Sequence, residues 1–406
     1  MSNIKVCLVL IDALRSDYIS KENTPFLYKL SKENIYYKEI TQSRSFCERA
    51  EIFTGLSPEQ SGYFTAIGYE PENSPYKNIN KYLEKLDYIN IFLPKNRLFD
   101  IYKSQLNKLL KKKYKGMSAY SIPLKFIKYF SLTEDKFDFR SNKAFDGNGN
   151  IFNDCKNHNI NIYYDSFTAL NFKQYSTDDE KLQTVTENIE NEYGLYLVYQ
   201  GIIDITGHKY GPNSNELKYE LNELDKKLEK FYNKIIAKDK DCKFIFLGDH
   251  GMSSITDTID IEKIINKIIK NKNIAKGKDF IYFLDSTIFR IWYFNDKTKE
   301  ILQKELINNI DLNRSGYFVT KEIAKNEEIP FNDIRYGDDI WLAKIGTLIF
   351  PDFFHNSKPY KGMHGYDVND KSSKGTCIIV NNKNYFHYGA KLTDIYKFIK
   401  EELEIL

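Results

Sequence analysis

The sequence predicts an α/β fold in which a doubly wound, largely parallel sheet carries an inserted smaller α+β subdomain. Two observations lead to this prediction. Apolar runs of strand length recur along the chain, and segments with apolar residues at helical spacing lie between most of them. Strands that alternate with helices in this way form largely parallel sheets covered by helices.

Six apolar runs are predicted as strands. They cover residues 6–11, 89–93, 160–164, 195–199, 244–247 and 376–380. Carboxylates end or closely follow three of these runs, at Asp12, Asp204 and Asp249. The ends of parallel strands converge on one crevice of an open sheet. Because an unpaired carboxylate is costly to bury, three that converge indicate bound cations.

Three helices are predicted from their end signals and periodicity. Thr24 is followed by Pro25, the pattern of an N-cap and a first helical residue. Ser214 precedes apolar residues at helical spacing between positions 217 and 235 and can cap their first turn. Residues 394–406 predict a closing helix that packs on the sheet.

A lysine-rich segment lies outside this alternation. Six lysines occur between residues 103 and 115, interspersed with leucines. Such a basic amphipathic stretch can lie on an anionic membrane or gate an anionic substrate. The alternative is an ordinary helix with a solvated face and an apolar face packed on the core. The sequence leaves the role of this segment open.

Length and charge limit the class of protein. The 406 residues predict one catalytic domain over residues 1–406, with an accessory α+β insert at 256–360. Lys and Arg total 59 against 56 Asp and Glu, so we expect no nucleic-acid polymer as a partner. The sequence leaves the oligomeric state open.

The N-terminal residues and the cysteines bear on the cellular location of the protein. No stretch of signal-peptide or transmembrane length precedes Asp12, and the five cysteines form no C-x-x-C pair. We therefore expect no transmembrane segment, reduced cysteines and a cytoplasmic location.

Acid and histidine residues occur in the pattern of a two-zinc hydrolase. Imidazole and carboxylate are zinc ligands, and two zinc ions can hold the attacking and leaving oxygens of a displacement at phosphorus. A hydroxyl nucleophile is expected at Ser45, before a short helix. We expect one ion at Asp12, Ser45, Asp249 and His250, and the other at Asp204, His208 and His364.

Four motifs resemble the type I phosphodiesterase/nucleotide pyrophosphatase branch of the alkaline phosphatase superfamily. They stand in family order at residues 45–55, 207–212, 248–252 and 362–367. In that family the nucleophile lies ten residues before the glycine of a Thr-Gly pair, which selects Ser45. The resemblance implies an alkaline phosphatase-like fold, two zinc ions, a covalent phosphoenzyme and phosphoester hydrolysis.

Three positions depart from that family pattern. Many members use Thr as the nucleophile, whereas Ser45 offers the same hydroxyl. Members that act on nucleotides usually carry an Asn about twenty residues later, where the corresponding stretch 63–66 of this chain has none, so nucleotide specificity stays open. Arg49 is similar to an arginine that supports the nucleophile in the sulfatase branch, and it can donate to phosphate oxygens. Ser45 and Arg49 are therefore the expected catalytic residues.

The expected function is a metal-dependent phosphodiesterase or nucleotide pyrophosphatase-like hydrolase that forms a phosphoserine. A small phosphate ester is its expected substrate. Phosphomonoester or phosphonate hydrolysis on the same two-metal site is the alternative. A sulfatase is disfavoured because Cys47 replaces the proline of the formylglycine signal. Histidine ligands also favour zinc over the calcium that sulfatases bind. An inactive phosphate-ligand binder is disfavoured because all seven ligand positions are present.

Overall fold

A computed structural model describes residues 4–79, 81–87, 97–115, 121–133, 149–164, 177–190, 193–381 and 390–405. The described strands are β1 (Val6–Ile11), β2 (Ile35–Ile40), β3 (Ile67–Tyr69), β4 (Phe130–Leu132), β5 (Asn161–Tyr164), β6 (Tyr193–Gln200), β7 (Lys243–Leu247), β8 (Ser253–Ser254), β9 (Asp257–Ile259), β10 (Phe280–Asp285), β11 (Ile288–Tyr293), β12 (Gly316–Phe318), β13 (Asp339–Ala343), β14 (Thr347–Ile349), β15 (Gly362–Met363) and β16 (Gly375–Val380). The described α-helices are α1 (Pro25–Glu33), α2 (Glu48–Thr54), α3 (Pro58–Ser61), α4 (Lys81–Glu84), α5 (Arg97–Tyr114), α6 (Leu124–Ile127), α7 (Ile151–Asn157), α8 (Asp178–Asn188), α9 (Ile202–Tyr210), α10 (Asn215–Lys238), α11 (Ile261–Ile269), α12 (Asp296–Ile307), α13 (Ile310–Ser315), α14 (Lys321–Asn326) and α15 (Asp394–Glu402). The strand predicted at residues 89–93 falls outside the described residues.

The central sheet has six strands in the order β2-β16-β7-β1-β6-β5. Strand β1 pairs in parallel with both β6 and β7, and β5 pairs in parallel with β6. Strand β16 pairs antiparallel with β7 and β2, so it alone in this sheet runs against the other five. The largely parallel α/β sheet predicted from the sequence is therefore confirmed. A single antiparallel strand near the edge of such a sheet is common.

Helices cover both faces of this sheet, which explains why β1 is apolar at every position. All six residues of β1 are buried. Val6, Leu8 and Leu10 pack in one core cluster with residues of α2 and α15, whereas Val9 and Ile11 pack in another with residues of α1 and α10. Successive strand residues point to opposite faces, so a strand buried on both needs a continuous apolar run.

The predicted helices are present, with one difference in capping. The side chain of Ser214 accepts a hydrogen bond from the backbone N–H of Leu217 at 3.1 Å and caps α10 as expected. Thr24 stands at the N-cap of α1, but its hydroxyl donates to the carbonyl of Tyr18 instead. The closing helix α15 ends at Glu402, before the predicted limit.

A second sheet lies within the segment predicted as an insert. It contains four strands in the order β10-β11-β13-β12, and all its pairings are antiparallel. Its core cluster also includes Leu106, Leu110 and Phe126, which precede residues 256–360 in the chain. The division into one domain with an insert at those limits stays a prediction. Among the described helices, none is long and apolar enough to cross a membrane.

Candidate active site

Adjacent strand ends bring Asp12, Asp249 and His250 together. Asp12 follows β1 directly, and the other two residues stand just after the parallel neighbour β7. The backbone N–H of Ala13 donates to Oδ1 of Asp249 at 3.2 Å, which joins the two strand ends. Nε2 of His250 lies 3.1 Å from Oδ1 of Asp12 and 3.9 Å from Oδ1 of Asp249. These three side chains therefore form one cluster at the end of the sheet.

Helix α9 supplies a second cluster beside the first. Asp204 and His208 are four residues apart and so lie on one face of the helix. Nε2 of His208 is 3.1 Å from Oδ1 of Asp204, and Nε2 of His364, just after β15, is 3.8 Å from the same oxygen. The rings of His364 and His250 stack with centroids 3.9 Å apart, which places the two clusters side by side.

Backbone carbonyls fix the orientation of two imidazole rings. Nδ1 of His208 lies 2.9 Å from the carbonyl oxygen of Gly362, and Nδ1 of His250 lies 2.8 Å from that of Gly251. A carbonyl oxygen only accepts, so each Nδ1 carries the proton. Each Nε2 thereby faces the carboxylates, as in metal-binding histidines. Burial lowers the pKa of both imidazoles, but the neighbouring carboxylates outweigh it and raise that pKa above its ordinary value.

The electrostatics of the clusters fit a bound cation. Oδ2 of Asp249 is buried and has no hydrogen-bond partner among the described residues. Burial raises the pKa of the Asp249 carboxyl to about 7, although the imidazole of His250 lowers it. Burial also lowers the pKa of His364 well below its ordinary value, together with the two neighbouring histidines. Burying several carboxylates is costly without a compensating positive charge, which a metal ion would supply.

Three sets of side chains place their ligand atoms within metal-binding reach of one another. In each set the atoms all lie within 4.8 Å of each other. The sets are Asp204, His208 and His364; Asp12, Asp204 and His250; and Glu48, His250 and His364. The first set is the second ion site expected from the sequence. Nitrogen and carboxylate oxygen donors in this mixture suit zinc.

A cavity of about 510 Å³ opens beside these side chains. Its lining includes Asp12, Glu48, Arg49, Ala66, Asp204, His208, His250 and His364. Ser45 and Asp249 are only 2% and 1% exposed, and neither belongs to that lining. Ser45 lies in the loop before α2, where its Oγ accepts a hydrogen bond from the N–H of Cys47 at 3.3 Å. Six of the eight expected site residues thus line the cavity, and Asp249 and Ser45 do not.

Two residues of the site were missed by sequence reasoning. Glu48 belongs to one of the candidate ligand sets, and burial raises its pKa. Its position three residues after Ser45, inside a family-like motif, was a usable signal. The hydroxyl of Tyr199 donates to Oδ2 of Asp12 at 2.5 Å. A tyrosine within an apolar strand gave no comparable signal.

Comparison with known proteins identifies a matching family and similar structures. A model of the type I phosphodiesterase/nucleotide pyrophosphatase family matches residues 6–367. Human ectonucleotide pyrophosphatase/phosphodiesterase 5 is similar in structure, with a TM-score of 0.68 and 17% identity over 99% of this chain and 95% of that one. An inactive murine form of the same protein in complex with AMP gives a TM-score of 0.67 and 16% identity, over 99% and 96%. At this level of identity the structural likeness shows the fold.

Two curated relatives match shorter stretches. GPI ethanolamine phosphate transferase 2 of Candida albicans is 32% identical over 105 residues, which are 24% of this chain and 12% of the relative. An uncharacterized pyrophosphatase/phosphodiesterase of Schizosaccharomyces pombe is 24% identical over 262 residues, or 62% of this chain and 45% of the relative. The matches thus span less than half the length of either relative.

Proposed function

The chain belongs to the type I phosphodiesterase/nucleotide pyrophosphatase family, a family of phosphoric ester hydrolases, and from this premise we propose that it is a metal-dependent phosphodiesterase acting through a phosphoserine. The observation that carries the proposal is the convergence of the two acid/histidine clusters on one cavity. Either cluster alone is compatible with a structural ion pair. Their adjacency, with the ring nitrogens directed at shared carboxylates, supports a two-metal hydrolase.

Two zinc ions are the proposed cofactors. Asp204, His208 and His364 would hold one ion. Asp12, Asp249 and His250 would hold the other, with the oxygen of Ser45. When bound, such ions lower the pKa of a hydroxyl nucleophile and stabilise negative charge on the leaving oxygen.

Ser45 is the proposed nucleophile. Its Oγ loses a proton and bonds to phosphorus while the bond from phosphorus to one ester oxygen breaks. That substituent departs with the electron pair and takes up a proton. Water then adds to the phosphoserine, the bond between Oγ and phosphorus breaks, and the serine hydroxyl is restored. The N–H of Cys47 donates to Oγ of Ser45 at 3.3 Å, which limits the rotation of this hydroxyl.

A diester is the proposed substrate class, without a commitment to nucleotides. A diester carries one charge less than a monoester and needs fewer positive groups around its oxygens. Ala66 lines the cavity where many nucleotide-acting family members carry a donating Asn. Arg49 also lines the cavity, and a buried guanidinium there favours the more highly charged monoester as the second candidate.

Substitution around Ser45 tests the nucleophile. Ser45→Ala should lower kcat for a diester by roughly three orders of magnitude or more, because no other hydroxyl takes over the covalent step. Ser43→Ala and Cys47→Ala are matched controls and should keep most activity. Mass spectrometry of acid-quenched enzyme should map a phosphoryl group to Ser45. An active Ser45→Ala protein with an inactive Cys47→Ala protein would instead establish thiol chemistry.

A further inference from the structure

A second cavity adjoins the catalytic cavity. It has a volume of about 690 Å³ and lies between the lysine-rich helix α5 and residues 354–360. The two cavities share Lys209, Phe354, His355 and Tyr360 in their linings. The ring of Tyr360 stacks on His208 with centroids 4.7 Å apart, so this shared wall begins at a proposed metal ligand. A molecule bound at the metal site can therefore extend into the second cavity.

The charged side chains that line this second cavity are positive. Five lysines line it, namely Lys103, Lys108, Lys111, Lys209 and Lys358. No carboxylate occurs among the described residues of its lining. The catalytic cavity, by contrast, is lined by Asp12, Glu48, Asp204 and Asp285. Several cations on one concave wall attract an anion, since low-dielectric walls concentrate their field.

Core packing of α5 holds the lysines of this helix in place. Leu106 and Leu110 of α5 are 8% and 2% exposed and belong to the core cluster of the second sheet. With that face anchored, Lys103 and Lys108 project from the neighbouring face into the cavity lining. Burial lowers the pKa of Lys103, although Asp87 raises it, so an added anion would stabilise the charged ammonium.

We propose that the lysine cavity binds a phosphate group carried by one substituent of the diester that is cleaved in the adjoining cavity. This inference rests on the proposed function and narrows its substrate class to diesters or pyrophosphates with a phosphorylated arm. The concave shape and the continuity with the catalytic cavity favour such an arm over a membrane surface. Lys112 and Lys113 are exposed on the same helix and lie outside the cavity lining, whereas a membrane would engage all these lysines.

Paired substrates provide the test. A series of p-nitrophenyl alkyl phosphates is compared with the same series bearing a terminal phosphate on the alkyl arm. The metal-loaded wild-type protein should show kcat/KM at least about tenfold higher for the phosphorylated arm at its best length. That preference should fall as salt is raised, because exposed lysines are screened. Equal kcat/KM values at every arm length would overturn the inference while leaving diester hydrolysis intact.

Lysine variants locate the effect. The double variant Lys108→Gln with Lys358→Gln should lose most of the preference for the phosphorylated arm and hydrolyse the plain arm within about twofold of wild type. The matched control, Lys112→Gln with Lys113→Gln, removes the same charge outside the cavity and should keep the preference. If both double variants lose it equally, general charge attraction explains the preference and the inference is wrong.

If neither substrate series is hydrolysed, the proposed function is refuted. The lysine cavity is then tested separately by a direct binding measurement. Calorimetry with inorganic tripolyphosphate should then still detect binding by wild type and by the Lys112/Lys113 control, and at least about tenfold weaker binding by the Lys108/Lys358 variant. Unchanged binding in that variant would overturn the lysine cavity as an anion site. Flotation with phosphatidylserine vesicles, in the absence of tripolyphosphate binding, would establish a membrane-docking surface instead.

Discussion

At the active site, the ring orientations of His208 and His250 are set by backbone carbonyls rather than by the side chains they face. The carboxylates of Asp204 and Asp12 stand opposite the remaining nitrogens at 3.1 Å. A deprotonated nitrogen and a carboxylate oxygen repel each other at that distance unless a cation or a proton lies between them. The metal is therefore expected to contribute to stability as well as to catalysis.

Loss of single ligands should remove metal and activity together. We expect Asp249→Ala and His364→Ala each to lower the bound zinc below about two ions per chain and to lower kcat/KM by roughly 100-fold or more. His158→Ala is the control, because this histidine is exposed just after α7 and its loss should leave both quantities unchanged. Elemental analysis and circular dichroism separate metal loss from unfolding. A protein that contains no transition metal and is insensitive to chelators would contradict the metal site.

A buried carboxyl away from the metal ligands should give a pH dependence of stability. Burial raises the pKa of Glu51 from its ordinary value of 4.5 to about 8, although Ser43 donates to it. Between these two values the folded state retains a proton that the unfolded state releases. This contribution to stability is therefore complete below pH 4.5 and is lost as the pH rises toward 8.

The variant Glu51→Gln should remove this dependence. Relative to wild type, its Tm should increase by a few °C between pH 5 and pH 8, because the amide has no proton to lose. Glu300→Gln changes an exposed carboxyl and should show no such difference. Thermal melts at several pH values measure the Tm difference between each variant and wild type. A wild-type to variant difference that is constant with pH would refute the assignment.

Residue chemistry explains which parts of the site were predictable. Asp12, Asp249 and His250 follow apolar runs, and parallel strands carry such residues to one edge of a sheet. Tyr199 contributes through a position that only folding brings near the site, whereas the place of Glu48 three residues after Ser45 was a usable signal. The burial of Ser45 likewise depends on how the loop before α2 packs, which residue spacing does not specify.

Among the elements, α5 has the apolar, core-packed face that was one of the alternatives for the lysine-rich segment. Its leucines at 106 and 110 pack on the core, and several of its lysines line a cavity instead of standing only in solvent. The helical periodicity of this segment was visible in the sequence. The cavity was not visible in the sequence, because its opposite wall is formed by residues 354–360, which are distant from α5 in the chain.

Neighbouring leucines of α5 provide a test of its anchoring. Leu110 is 2% exposed and Leu109 is 65% exposed. Leu110→Ala should lower the free energy of unfolding by about 2–5 kcal/mol, because it removes buried methyl groups and leaves a cavity. Leu109→Ala should change it by no more than about 0.5 kcal/mol. Urea unfolding, with limited proteolysis to detect local opening of α5, measures both. Equal effects of the two changes would show that this helix is not anchored through Leu110.

The direction of β16 shows that an apolar run predicts a strand but not whether it pairs in parallel or antiparallel. Residues 376–380 were predicted as a strand, and β16 covers them. Its antiparallel direction was not predicted, because a run of apolar residues buried on both faces looks the same in either direction. Direction is set by the path of the chain between β15 and β16, which brings β16 in beside β7.

At the scale of the whole molecule, the site joins residues from four distant parts of the chain. Asp12, Asp204, Asp249 and His364 meet because β1, β6 and β7 are adjacent parallel strands and β15 pairs with β8 just after β7. The second sheet contributes Asp285 to the lining of the catalytic cavity, and α5 lines the adjoining lysine cavity. The candidate metal ligands thus stand mainly at the end of the central sheet, and surrounding segments complete the cavity walls. This division agrees with the usual location of ligand sites in open α/β sheets.

The kcat/KM ratio among three chromogenic esters tests the central claim, metal-dependent diester hydrolysis, most directly. The esters are bis-p-nitrophenyl phosphate, p-nitrophenyl phosphate and p-nitrophenyl sulfate, measured with the zinc-loaded protein. We expect the diester to have the highest kcat/KM, the sulfate to be inert and chelation to abolish turnover, because the site carries histidine ligands and few positive groups for a third phosphate oxygen. A preference for the monoester of roughly tenfold or more, about 1.4 kcal/mol in the transition state, would contradict the diesterase assignment.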